Sequence, residues 1–294
     1  MLADGLCFDR DMTDAQLLPF GAAPVPSASA DIESRVIRLL ASLAQPGVSG
    51  LDSARVAAVL DGSDLASLRV EVTGLAVDDH RLSAAPLTPP TVDVAHREPA
   101  TVRDLLITAH PASVLAVPVE IDVAASDLPF EWVVGSDGLL YVEVRPPTDA
   151  TPVVGTARVA AARKDIAAAA ETALAEILRE KGFTLTAFDL RFRSTGPRAL
   201  SVLADAKVKK GLLRAGVTVS ASASIDRSLV LQVIDTKISG SNPVVDGLLA
   251  PFRSKISANA ERKVDLAALL PAGVVVTDVS VTAGEEVVLS VALG

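Results

Sequence analysis

Residues 183–194 read FTLTAFDLRFRS, residues 199–208 read ALSVLADAKV, residues 215–224 read AGVTVSASAS, and residues 228–239 read SLVLQVIDTKIS. Each of these four segments has the length and residue types of a β-strand, and short turns such as Asp226-Arg227-Ser228 separate them. A run of strands with few helices between them is typical of antiparallel sheet, whereas alternating strands and helices indicate a parallel one. This part of the chain therefore predicts an antiparallel meander.

Strand patterns also occur on both sides of the meander. Apolar and polar residues alternate over residues 68–73, which predicts a half-buried strand. Further strands are predicted at residues 114–124, 129–134 and 139–146. The loop Gly135–Gly138 predicts a hairpin, and a second hairpin ends the chain around Ala283 and Gly284.

Four segments have the spacing of an amphipathic helix. One face is apolar in residues 32–43, in residues 53–60, in residues 158–181 and in a segment that begins at Pro243. The segment 158–181 is the strongest of these patterns, and its apolar stripe is rich in alanine. Prolines predict a loop over residues 84–99, whereas residues 101–109 fit a helix or a strand.

Composition restricts the function. The net charge is -9, so the chain should repel phosphate backbones and we expect no nucleic acid as a partner. The single cysteine, Cys7, suits a reducing compartment, and the N-terminal residues lack the basic and apolar regions of a signal peptide, so a cytoplasmic location is expected. Half of the residues are hydrophobic but few are aromatic. The apolar excess must fill a large core, a partner interface or an internal cavity.

The chain carries no motif of an enzyme, a metal site or a cofactor site. No phosphate-binding glycine loop and no nucleophile elbow occur, and His80, His96 and His110 do not have the spacing of a helical zinc site. We therefore expect no catalytic residue, no metal and no cofactor; an enzyme with an unrecognised site is a remaining hypothesis. The one basic cluster, residues 207–214, is either an exposed strand end or a site for an anionic head group or membrane surface.

The C-terminal segment, residues 264–294, reads VDLAALLPAGVVVTDVSVTAGEEVVLSVALG. Its Leu-rich run, Pro271, Gly273, Val-rich strand and closing hairpin resemble the LmeA-like phospholipid-binding family of the tubular lipid-binding superfamily. The resemblance is good over about residues 238–294 and loose before that. It implies an α+β fold in which a strongly curved antiparallel β-sheet is wrapped around long amphipathic helices, leaving an apolar tunnel with diffuse lipid contacts.

These patterns predict an N-terminal arm at residues 1–28 and one elongated tubular domain at residues 29–294, with two sub-modules, 29–150 and 151–294, as an alternative. The expected ligand is a phospholipid or a fatty acyl chain, held in an elongated groove by a carrier or sensor. The candidate ligand-binding residues are Val159, Ile166, Ala173, Ile177, Leu248, Phe252, Ile256, Val279, Val281 and Leu289. The alternative is that they close as a packed core, and that the sheet is an interaction surface of a non-catalytic assembly protein. A membrane surface, a protein partner and a second copy of the chain all remain open as partners.

Overall fold

The computed structural model describes residues 17–42, 44, 46–78, 92–148, 153–211, 213–226, 228–241, 263–265 and 275–294. Strands account for 66% of these residues. The elements up to the middle of the chain are β1 (Leu17–Ala22), α1 (Ser29–Ser42), β2 (Val48–Ser49), a short 3-10 helix (Leu51–Ser53), β3 (Arg55–Asp61), β4 (Asp64–Val72), β5 (Leu75–Val77), β6 (Val94–Val114), β7 (Val117–Gly135) and β8 (Leu139–Val144). The remaining elements are β9 (Val154–Ala162), α2 (Arg163–Glu180), β10 (Thr184–Gly196), β11 (Ala199–Lys210), β12 (Leu213–Ile225), β13 (Val230–Gly240), β14 (Lys263–Asp265), β15 (Val276–Ala283) and β16 (Glu286–Leu293).

The first sheet has eleven strands in the described part of the chain, and its main path runs β15-β16-β9-β7-β6-β4-β3. Strand β6 also pairs with β5, which pairs with β2, and β7 also pairs with β8, which pairs with β1. The pairs β4–β6 and β5–β6 are parallel and the others are antiparallel, so this sheet is mixed. It joins strands from both predicted sub-modules, and its strand β1 lies within the predicted N-terminal arm.

The second sheet consists of β10-β11-β12-β13-β14 in sequence order, and all of its pairs are antiparallel. Its first four strands are the meander that the sequence predicts. The two sheets meet where the turn between β10 and β11 reaches β15: the backbone N–H of Val281 donates to the carbonyl oxygen of Pro197 at 2.7 Å, and Arg198 Nη2 donates to Asp278 Oδ1 at 2.6 Å.

The described core belongs to the first sheet and to α1. Trp132 is 1% exposed and lies against two other rings, with centroids 5.4 Å away for Phe20 and 4.9 Å away for Phe130. Its indole N–H donates to the carbonyl oxygen of Ser63 at 3.0 Å, so the polar atom of this buried ring is satisfied. Ile32 of α1 is fully buried in the same cluster, as the apolar face predicted for residues 32–43 requires.

The predicted fold, a curved antiparallel sheet wrapped around long helices, is wrong. The described residues are mostly strand, form two sheets and contain only two α-helices, and neither sheet surrounds a helix. No residue of α2 is buried, although a helix inside a tube would bury its apolar stripe on the sheet. The stripe of α2 consists largely of alanine, which removes little apolar surface from water and does not favour enclosure.

Two predicted helices are partly or wholly strands. Helix α2 begins at Arg163 and not at residue 158, because residues 154–162 pair with β7 on one side and with β16 on the other. The predicted helix 53–60 is also wrong, because residues 55–60 belong to β3, which the turn at Gly62 pairs with β4. Strand β6 begins at Val94, within the predicted loop 84–99. Residues 101–109, whose pattern fits a helix or a strand, belong to this strand.

Candidate ligand-binding face

Three of the predicted ligand-binding residues lie in one row of the first sheet. Val281 of β15 is paired with Leu289 of β16, which is paired with Val159 of β9. Residues directly opposite each other on neighbouring strands point to the same face, so these side chains are neighbours. The row continues through Ile121 of β7 to Ala109 of β6, which is 3% exposed.

Val279 lies in the next row and is 2% exposed. It is paired with Val291, which is paired with Ala157, so its neighbours across the sheet are aliphatic. Val159 and Ile121 pack against a core cluster that includes Val70. In these two rows Ala109 and Val279 are buried, and the other members, Val281, Leu289, Val159, Ile121, Val291 and Ala157, are half-buried.

The predicted residues of α2 lie in a different setting. Ile166 is half-buried, whereas Ala173 is exposed and Ile177 is 58% exposed. Helix α2 packs along β10, the edge strand of the second sheet. The other candidates, Leu248, Phe252 and Ile256, lie outside the described residues.

A second apolar surface, whose residues are not among the predicted ligand-binding residues, lies on the second sheet. In β10, Phe188, Leu190 and Phe192 alternate with charged residues, and the strand register places them beside small or aliphatic residues of β11. The same face continues across β12 and β13. We call this surface the apolar face; it consists of Phe188, Leu190, Phe192, Leu200, Val202, Ala204, Ala206, Val217, Val219, Ala221, Ala223, Ile225, Leu231, Val233 and Ile238.

The apolar face is incompletely covered. Ile225 is buried, and every other member is only half-buried. Among the described elements, α2 and β15 pack against this sheet, at β10 and β11. Neither core cluster of the described residues includes a member of this face. The period-two alternation was the signal for this surface in the sequence, but the alternation cannot show whether another layer covers it.

The opposite face of the same strands is mostly polar, although Leu203 and Ile234 also lie on it. Asp205 accepts a hydrogen bond of 2.7 Å from the Thr218 hydroxyl and pairs with Arg191, and these contacts hold the pKa of Asp205 below its usual range. Serines occupy most of this face on β12. One side of the sheet therefore has water-compatible groups, and the other side presents almost only hydrocarbon.

The end of the β11–β12 hairpin is strongly basic. We call this end, together with Lys181 that follows α2, the basic tip; it consists of Lys181, Lys207, Lys209, Lys210 and Arg214, which are all exposed. Lys209 lies directly opposite Arg214, and Lys210 Nζ lies 4.6 Å from the centroid of the Phe183 ring. Lys210 Nζ also donates a hydrogen bond of 3.4 Å to the carbonyl oxygen of Lys181, which joins the hairpin to the end of α2.

Other titratable side chains contact one another elsewhere in the first sheet. Glu143 is buried between Arg97 and Arg145, and His110 Nε2 lies 3.0 Å from Asp122 Oδ1 on the exposed outer part of β6 and β7.

Within the described ranges, no three side chains of the metal-binding types come together. Neither described helix combines the length and the apolar content that a membrane crossing requires. The surface with the clearest capacity for binding is therefore the apolar face.

Comparisons of the chain with protein-family models, with curated proteins and with solved structures found no match.

Proposed function

We propose that this protein binds an apolar ligand, the acyl chain of a lipid, on the apolar face of its second sheet, and that it acts as a carrier or sensor without catalysis. The observation that carries the proposal is that a whole sheet face of aliphatic and aromatic side chains remains only half-buried. Large exposed apolar surfaces are costly in water and commonly mark binding sites.

The dimensions of the face suit an extended hydrocarbon chain. Along β11 it runs from Leu200 to Ala206, which is roughly 20 Å at the usual rise of a strand. Four strands side by side give it a width of roughly 14 Å. Burial of each methylene group of a ligand contributes about 0.8 kcal/mol, so an acyl chain contributes on the order of 10 kcal/mol before entropy costs.

The small side chains at the centre of the face support a ligand that lies along the strands. Ala204 and Ala206 lie on β11 and Ala221 and Ala223 lie on β12, each paired with an aliphatic residue, and larger residues such as Phe188 and Leu231 lie towards the edges of the face. A surface of this kind needs no fixed polar group, because contact with hydrocarbon is non-directional. This agrees with the ligand class that the resemblance of residues 264–294 implies, and it does not require a tubular fold.

The test is binding of an environment-sensitive fluorescent fatty acid to the full chain. Val219→Asp places a charge on the apolar face, and Ser220→Asp places the same charge on the polar face one residue further along β12. We expect the wild type and Ser220→Asp to bind the probe, and Val219→Asp to bind it at least about ten-fold more weakly because a carboxylate is costly to bury. Equal binding by the two variants, or no binding by the wild type, would refute the proposal.

The alternative occupant of the apolar face is a protein partner, as in an assembly factor. Native mass spectrometry of protein purified without detergent distinguishes the two. A mass increment that matches lipid supports the proposed function, and a co-purifying polypeptide that is lost from Val219→Asp supports the alternative. The cytoplasmic location stays a prediction.

A further inference from the structure

The basic tip brings positive charges together in a chain whose net charge is -9. Lys209 and Arg214 are direct cross-strand partners, and like charges in this arrangement destabilise a sheet. Lys207 lies two residues along the same strand, on the same side of β11 as Lys209. The second sheet therefore maintains a repulsive arrangement at one end.

The charges of the basic tip have no carboxylate partner among the residues that the structure describes. Six arginines elsewhere in the two sheets contact Asp or Glu, namely Arg97, Arg103, Arg145, Arg158, Arg191 and Arg198, whereas Arg55, Arg69 and Arg193 have no such contact among the described residues. On β11 itself, Asp205 is engaged by Arg191 and Thr218. The basic tip differs from the isolated unpaired arginines because it brings five such cations together at one end of the second sheet.

The basic tip adjoins the end of the apolar face. The pair Lys207–Gly216 is followed by the pair Ala206–Val217, which belongs to the apolar face. Successive residues of a strand point to opposite faces, so Lys207 and Lys209 lie on the polar face and Lys210 lies on the side of the apolar face. On the other side of the tip, the Phe183 ring lies under the ammonium group of Lys210. A surface on which basic groups adjoin apolar ones matches a lipid bilayer interface, where anionic head groups lie above hydrocarbon.

We propose that the basic tip docks on an anionic membrane surface and so presents the end of the apolar face to the bilayer. This inference rests on the proposed function, because docking brings the acyl-binding face to its source of lipid. Charge complementarity selects the partner, because several unpaired cations attract an anionic surface within a Debye length. The acidic remainder of the chain is repelled by the same surface, so the protein is oriented with the basic tip towards the membrane. A nucleic acid would wrap against more of the protein and would meet that acidic remainder.

The test is co-sedimentation of the full chain with vesicles made of equal parts phosphatidylcholine and phosphatidylglycerol, and with vesicles of phosphatidylcholine alone. We expect binding to the anionic vesicles only, and weaker binding at high salt. The variant Lys209→Gln/Arg214→Gln should bind roughly thirty-fold more weakly, because each basic residue near such a surface contributes roughly a five-fold factor.

The matched control is Lys164→Gln/Arg193→Gln, which removes the same two charges from exposed positions away from the tip. Lys164 is at the start of α2, about 25 Å from the end of the helix at Lys181, and Arg193 is about 30 Å along β10 from the pair with Lys209. The control should bind anionic vesicles like the wild type. Equal losses in both double variants would show that only total charge matters and would overturn the inference.

Stability and probe binding separate the remaining outcomes. Removing the Lys209–Arg214 repulsion should leave the melting temperature unchanged or raised, so a tip variant that unfolds more easily contradicts a docking role. Fatty acid binding without vesicles should be the same in the tip variant and the wild type. A wild type that binds the probe but not anionic vesicles, or that binds RNA in preference to them, overturns docking and leaves the proposed function standing. If the wild type does not bind the fluorescent fatty acid, the proposed function is overturned. In that case docking is still supported if the wild type binds anionic vesicles and the tip variant does not.

Discussion

Arg145 Nη1 donates a hydrogen bond of 2.6 Å to Oε1 of Glu143, whose side chain is only 1% exposed. The other carboxylate oxygen accepts a hydrogen bond from Arg97, and Glu131 contacts both guanidinium groups. Four charged side chains therefore join the strands β6, β7 and β8. Both arginines are partly exposed, so water shares the cost of burying the acid.

Glu143→Gln should destabilise the protein. The amide of glutamine keeps the shape of the side chain but removes the negative charge that two arginines surround. Its NH₂ group, which replaces one carboxylate oxygen, cannot accept a hydrogen bond from an arginine. We expect a loss of about 2 kcal/mol in the free energy of unfolding, measured by chemical denaturation. Glu120→Gln is the control, because it removes an exposed partner of Arg158 and should cost less than about 1 kcal/mol. Equal losses would mean that the burial of Glu143 has no energetic effect.

The stabilisation by Glu143 should also depend on pH. Burial by itself raises the pKa of Glu143, but the hydrogen bonds from Arg97 and Arg145 outweigh it and hold the pKa below its usual value. Because the folded-state pKa is the lower one, the stabilising contribution is present above the unfolded-state pKa of about 4.3 and is lost as the pH falls through the folded-state pKa. The difference in unfolding free energy between the wild type and Glu143→Gln should thus shrink below about pH 4. A difference that stays constant into this range would contradict the assignment.

The strands of the second sheet could be predicted because their alternation is local. Phe188, Leu190 and Phe192 point to one face by the period of the strand alone. The final hairpin, Val276–Ala283 with Glu286–Leu293, was likewise predictable from its turn and its valines.

The remaining structure depends on partners distant in sequence. Residues 158–162 have a helical pattern but pair with β7 and β16. Both of these strands are more than twenty residues away in the sequence. Which apolar surface is covered also depends on such contacts, so the sequence pattern selects Val279, which is buried, and does not select Val219, which is half-buried. Patterns predict that a face is apolar, and only packing decides whether it is core or binding surface.

Gly50→Ala should be more destabilising than Gly62→Ala. Both glycines have positive φ, 87° and 68°, so alanine is strained at either position. A Cβ atom at Gly50 would also overlap the carbonyl oxygen of Gly74, whereas a Cβ at Gly62 would meet open space. We expect a loss of about 1 kcal/mol for Gly62→Ala and roughly 3 kcal/mol or more for Gly50→Ala, measured by thermal or chemical unfolding. Similar losses would contradict the close approach of these two backbone segments.

The openness of the apolar face predicts how it tolerates added bulk. Ala204 lies near its centre, paired with Val219 and half-buried, whereas Ala109 of the first sheet is 3% exposed among packed neighbours. Ala109→Trp should overpack the core and cost roughly 3 kcal/mol or more. Ala204→Trp should change the free energy of unfolding by less than about 1 kcal/mol, because its ring occupies the space in which we propose that an acyl chain lies. The same ring should block binding of the fluorescent fatty acid while Ser220→Asp still binds it. If Ala204→Trp instead unfolds as readily as Ala109→Trp, the apolar face is a closed core, and the lipid must be sought elsewhere on the protein.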